Sequence, residues 1–274
     1  MQQATPSSIT YSRPLIYSVL AVALGILGAW TLLTPPGLTG KADAVGYAIC
    51  HRIEVRSFIA GTYQLPLCAR CTGIYLGAMA GLGVYLASRR ERAGRLPNWR
   101  VSLVLAAFVG VLAVDGLNSY FTLFPGYEGV YEPQNWLRLT TGVFTGIALI
   151  TLVLPIFNQS VWADGGAAVA PLTSLQELAG LCVIGGLTIA LVLVQRATLL
   201  LVLGLISSLG VVVVLTMIMT VGFLTTSGRF RTYTRWKDLW LPLLAGLTLA
   251  IAMIGTIDAL RFSVMGTWEG FPLP

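Results

Sequence analysis

Long apolar runs broken by short polar stretches fill almost the whole of this 274-residue chain. A run of roughly 20 apolar residues crosses a bilayer as a helix. The first such run opens at Pro14, extends to Leu33 and is stopped by Pro35-Pro36; proline suits a helix start and prevents its continuation. Further spans are predicted at residues 67–87, 101–120, 136–157, 175–194, 198–224 and 239–260, with Gln195-Arg196 as a tight turn between the fifth and sixth. Residues 1–13 read as a polar tail. Residues 35–67 form a long connection in which residues 42–49 predict a short interfacial helix. The expected fold is all-α and polytopic, with about seven transmembrane helices and a Cys/His-containing outer loop. Its parts are a tail (1–13), a first span with linker (14–44), a Cys-His core with spans two to four (45–157) and a C-terminal three-span bundle (158–274).

Composition agrees with this pattern: 56% of residues are hydrophobic and 10% charged, against roughly 25% charged in a soluble domain. The net charge of +6 is no nucleic-acid signature, because nine of the 17 lysines and arginines fall in two short loops. One loop holds Arg89, Arg90, Arg92, Arg95 and Arg100; the other holds Arg229, Arg231, Arg235 and Lys237. In a seven-span chain both loops lie on one side, and basic loops face the cytoplasm. The N-terminus is then inside the cytoplasmic membrane and the Cys-His loop outside. The N-terminus shows no clear signal-peptide cleavage site, and its first apolar run is long enough to stay as a span.

Chemistry concentrates in residues 50–81, which hold three of the four cysteines (Cys50, Cys68, Cys71), the single histidine (His51) and three arginines (Arg52, Arg56, Arg70). Cys68 and Cys71, three apart at a helix start, place both sulfurs on one face, where the helix N-terminus favours thiolate. With Cys50 and His51 they supply the donors of a closed zinc site, although adjacent residues reach one metal only with a strained backbone. The same thiols also admit dithiol redox chemistry, or a structural disulfide in an oxidising compartment. Cys182, inside a predicted span, reads as a small buried apolar residue.

Polar residues gather at the predicted outer helix ends: Asp115 and Asn118, Asn135 and Arg138, Asp258 and Arg261. Ionisable groups at membrane depth are costly unless paired or wet, so they mark a cavity or a site. Arg138 and Asp115 are expected to lie near each other. Arg52, Arg56 and Arg70 predict internal pairing with Glu54, Asp115, Glu128 or Glu132, or an anionic ligand such as a lipid phosphate. Gly73, Gly77 and Gly81 form a small-residue ridge for close helix packing, within the chain or towards a membrane-protein partner; spans five to seven are the other expected partner surface. There is no Gly-rich phosphate loop and no His-Glu-x-x-His motif, and a single histidine excludes bis-histidine haem ligation within the chain.

The run CHR…RSF…G…QLPLCARCTGIYLG, followed by DGLNSYF and N-W-L-R-L-T-T-G, resembles the prokaryotic membrane family called domain of unknown function 2085, over about residues 45–150. The resemblance implies motif positions at Cys50, His51, Arg52, Arg56, Ser57, Gly61, Pro66, Cys68, Arg70, Cys71, Thr72, Gly73, Asp115, Asn135, Arg138 and Gly142, and implies no particular activity. The leading expectation is an accessory or ligand- and lipid-binding membrane protein with a Cys/His metal site, zinc by preference, at the outer face. A thiol-disulfide oxidoreductase coupled to quinone is the rival. A small-solute transporter is a third class, weakened by the odd span count and the lack of an inverted repeat.

Overall fold

The computed structural model describes residues 11–122, 124, 126 and 129–271. Eight helices and one small hairpin are formed among these residues. Helix α1 (Arg13–Leu33) begins with Pro14 in its first turn. Helix α2 (Gly37–Ile49) starts directly after the two prolines, earlier than the expected residue 42, and buries a small-residue face of Gly40, Ala42, Ala44 and Gly46. Strands β1 (Ser57–Ala60) and β2 (Tyr63–Cys68) pair antiparallel, with Ala60 opposite Tyr63. The two-residue turn between them uses Gly61 at φ 68°, a conformation that glycine adopts at no steric cost.

The long helices follow: α3 (Ala69–Ala87), α4 (Trp99–Phe121), α5 (Asn135–Val161), α6 (Leu175–Leu193), α7 (Ala197–Thr226) and α8 (Trp240–Met265). Asn98 caps α4 by accepting the Val101 N–H at 3.1 Å, and Ser174 caps α6 through the Glu177 N–H at 3.2 Å; both satisfy otherwise orphaned amides. The protein is an all-α polytopic membrane protein. Six of its helices are long and apolar enough to cross a membrane by length and composition. The seventh expected span, α3, has the length but is diluted by Arg70 and four glycines, and it packs between α5 and α7.

Its enclosure comes from glycine. A Cβ on Gly73 or Gly77 would strike the α5 backbone at Leu139 and Val143, and one on Gly142 or Gly146 would strike the α3 backbone at Arg70 and Ile74. The two helices are thus in backbone contact, the geometry that small residues at every fourth position allow. The ridge expected as a partner surface is therefore filled by the chain's own α5. On the other side of α3, α7 brings Gly210 to within 2.9 Å of the Tyr75 carbonyl as measured to an added Cβ. Helix α8 packs on α7, and α1, with only Ala23 buried, lies outermost on α8.

The two basic loops meet at one end of the bundle. Ala93 bridges Ala167, and Trp162 bridges Tyr233. Arg92 lies over the Trp162 ring at 4.0 Å and reaches Asp164 at 3.2 Å. Arg90 forms a fork with Glu177 at 2.7 and 2.8 Å. The cysteines lie at the other end.

Candidate metal centre

Cys50 ends α2, its N–H bonded to the Gly46 carbonyl at 2.8 Å. The chain then turns through Arg52, held at φ 53°, and a single 3₁₀ turn, Glu54–Arg56, before entering the hairpin. The hairpin carries the backbone back beside its start, with Ser57 paired to Cys68. Cys68 is the N-cap of α3 and Cys71 sits in its first turn. The three sulfurs, from Cys50, Cys68 and Cys71, lie within 4.8 Å of one another. All three cysteines are free; Cys50 and Cys68 are 5% and 3% exposed, and Cys71 is half-buried.

Two features favour a negative sulfur at Cys50. The Cys68 N–H donates to Cys50 Sγ at 3.2 Å. Hydrogen bonding with the Cys68 and Cys71 side chains presses the Cys50 thiol well below its ordinary range, against the opposing effect of burial. Val45, Leu67, Val211 and Ile254 close around the group. Tetrahedral zinc places sulfurs roughly 3.8 Å apart, so the donor set accepts a soft ion with closure of less than about 1 Å.

His51 stands outside the sulfur group. Cys50 is extended (φ −130°, ψ 144°), and neighbours in extended chain point to opposite faces. His51 Nδ1 instead accepts the Ile53 N–H at 3.0 Å. Asp115, the buried carboxylate of the flanking polar network, has both oxygens engaged: Oδ1 accepts from Tyr131 at 2.9 Å, and Oδ2 pairs with Arg70. Among the described residues the grouped donor atoms are therefore the three sulfurs.

The loop carrying Cys50 is clamped from the far end of the sequence. Arg261 Nη1 donates to the Tyr47 carbonyl at 2.6 Å and the Cys50 carbonyl at 2.7 Å, and Nη2 to the His51 carbonyl at 3.3 Å. Its guanidinium lies 4.0 Å from the Tyr47 ring and 4.4 Å from the Phe271 ring. The Phe271 N–H adds a bond to the His51 carbonyl at 3.0 Å. Arg52 pairs with Asp43 at 2.8 Å and reaches the Trp268 carbonyl at 3.3 Å, while Tyr63 also donates to Asp43 at 2.8 Å.

A second polar group flanks the cysteines. Arg70 bonds Asp115 and Ser119; Arg56 donates to the Ser119 carbonyl at 3.0 Å. Burial, and then the Arg70 charge, lower the Arg56 pKa. Asn118 braces the loop after α4, donating to the Tyr131 carbonyl at 2.9 Å and accepting the Val130 N–H at 2.7 Å. Asn135 donates to the Val55 carbonyl at 3.1 Å and accepts from Arg138 at 2.8 Å. Asp115 therefore takes Arg70, not Arg138, as its ion partner. Among the described residues Glu54 and Glu132 form no ion pair; Glu128 lies outside them. Cys182 is half-buried on α6, outside the sulfur group.

Residues 50–152, which include all three cysteines and the Arg70–Asp115 pair, match the family described as predicted membrane protein (DUF2085). An uncharacterised protein of Methanocaldococcus jannaschii is 32% identical over 120 residues, 43% of this chain and 70% of that protein. The chain belongs to the DUF2085 family. A second DUF2085-like relative, an uncharacterised protein of Methanothermobacter thermautotrophicus, is 37% identical over 107 residues, 38% of this chain and 83% of that protein. No solved structure matches. The DUF2085 match runs from Cys50 to within α5, so the clamp from Arg261 and Phe271 lies outside it.

Sequence reasoning passed over Asp43, Tyr131 and the stretch from Thr267 to Phe271. Asp43 carried a signal, being the sole acidic residue between Pro14 and Ile53. Tyr131 acts through its hydroxyl and its carbonyl, and the Thr267–Phe271 stretch through carbonyls, an N–H and a ring, none of which a polarity pattern marks.

Proposed function

We propose that this protein binds a soft metal ion, zinc by preference, through the thiolates of Cys50, Cys68 and Cys71, and that the ion ties the α2–β1 connection to the start of α3. The carrying observation is the triangle of sulfurs within 4.8 Å, one of them accepting a backbone N–H. A disulfide would join two sulfurs and leave the third as an attacking thiol for exchange, whereas a metal uses all three at once, and all three are free in the structure. Three protein thiolates leave one coordination position for a ligand from outside the described side chains, as in sites that bind a substrate or water. Arg52, Arg56, Arg70, Asp115, Asn118, Asn135 and Arg138 would then form the surrounding polar network that holds the loops and offsets thiolate charge. His51 is excluded from the ligand set in this reading. The positive-inside rule supports a cytoplasmic-membrane location with the basic loops inside and the cysteine end outside.

The test is elemental analysis of the purified full-length protein with a thiol count before and after chelation. About one metal ion per chain is expected, with Cys182 alone reactive at first and three further thiols released together by the chelator. Cys50→Ser should lose the metal. Thiols released by reductant, with the chelator inert, would instead establish the thiol-disulfide reading.

A further inference from the structure

A cavity of about 830 Å³ opens between α1 and α8, and its Trp30 and Ile251 walls also pack into the apolar cluster that holds the cysteines. Its walls are apolar and aromatic, including Trp30, Ile251, Gly255, Phe262 and Trp268, and a single ionisable side chain, Asp258, lines it. Asp258 is 3% exposed. Its Oδ2 accepts from Trp30 Nε1 at 3.3 Å. Its Oδ1 has no hydrogen-bond partner among the described residues, and no cation lies within ion-pair distance there. The nearest guanidinium in sequence, Arg261, is one turn along α8 and spends its Nη groups on the carbonyls of Tyr47, Cys50 and His51.

A buried carboxylate with an open acceptor is costly within a membrane span, and such residues mark functional sites. Pockets of this size, apolar with one convergent polar group, are the usual form of a small-molecule site. The remaining chemistry selects the ligand. A carboxylate framed by aromatic rings suits an ammonium group, which gains a charge-assisted hydrogen bond and cation–π contact together. The apolar walls suit an alkyl chain, and the carboxylate repels a fatty acid.

We propose that the α1/α8 cavity binds an ammonium-headed amphiphile, with its head on Asp258 and its alkyl chain along the Ile251–Gly255 wall. An ethanolamine phospholipid of the surrounding bilayer and a free long-chain amine share this chemistry, and the experiment separates them.

Full-length protein is reconstituted in phosphatidylcholine vesicles with spin-labelled stearylamine, phosphatidylethanolamine or stearic acid, and electron paramagnetic resonance gives the motionally restricted fraction of each. Stearylamine is expected to associate about tenfold more strongly than stearic acid, the scale of one charge-assisted hydrogen bond. A matching preference for the phosphatidylethanolamine probe identifies the bilayer lipid as the source; preference for stearylamine alone identifies a free amine. Asp258→Asn should reduce the amine-to-acid ratio to near unity. Gly255→Leu keeps the carboxylate but fills the cavity, since even a Cβ there comes within 3.3 Å of the Trp30 ring; it should remove the restricted amine fraction, and it decides the matter if Asp258→Asn does not fold. Equal association of amine and acid in the unaltered protein, or an amine preference that survives Gly255→Leu, overturns the proposal.

Discussion

Asp115 shows how a buried charge is accommodated residue by residue. It is 2% exposed, with Arg70 on one oxygen and Tyr131 on the other. Removing one partner of a buried pair costs about 3–5 kcal/mol, because the other charge is stranded. Arg70→Leu is therefore expected to lose that much stability by thermal or denaturant unfolding in detergent. Arg231→Leu, at an exposed position at the far end of the bundle, should stay within about 0.5 kcal/mol. Comparable losses in the two variants would show that the Arg70–Asp115 pair does not stabilise the bundle. At this scale the Cys68/Cys71 pair was legible, because a helix start puts residues three apart on one face. His51 misled for the opposite reason: its closeness to Cys50 in sequence is separation in space once the backbone is extended. Arg138 does lie within electrostatic reach of Asp115, but Arg70 takes the ion pair; polarity patterns place charges at a depth without choosing among partners.

Among the elements, the α3–α5 pair fixes where everything else sits. Gly146→Ala would drive a methyl group into the Ile74 carbonyl, and overpacking of this kind costs about 1–3 kcal/mol. Gly83→Ala, on the same α3 helix but with nothing within 4 Å of its Cβ, should be neutral or gain up to about 1 kcal/mol. Unfolding midpoints of the two variants measure the difference directly, and a tolerant Gly146 would mean that the two helices are not in backbone contact. The long helices were legible because an apolar run of membrane length fits no element but a span. The hairpin was not: its strands are only four and six residues long, and Pro66 inside β2 argues against a strand. Its Gly61 turn and the alternation of Phe58, Leu65 and Leu67 were the available signals.

Taken whole, the molecule is polarised. Residues 88–98, 162–174 and 227–239 are tied together at one end, and the cysteines occupy the other. Fusions of a reporter active only in the cytoplasm should work after Arg92 and after Arg231, and fail after Gly61; cytoplasmic activity at Gly61 would reverse the orientation. That the two basic loops share one end was legible from span parity. What sequence order concealed is the closing of the cysteine loop by residues far downstream. That has a consequence in time. Arg261 follows Cys50 by 211 positions. At about 5–20 residues per second, synthesis of the intervening chain takes roughly 10–40 s. During that interval the nascent loop has its thiols but not the guanidinium that holds the Tyr47, Cys50 and His51 carbonyls. The cysteine loop is therefore made, and its three thiols are in place, well before α8 supplies the side chain that clamps it.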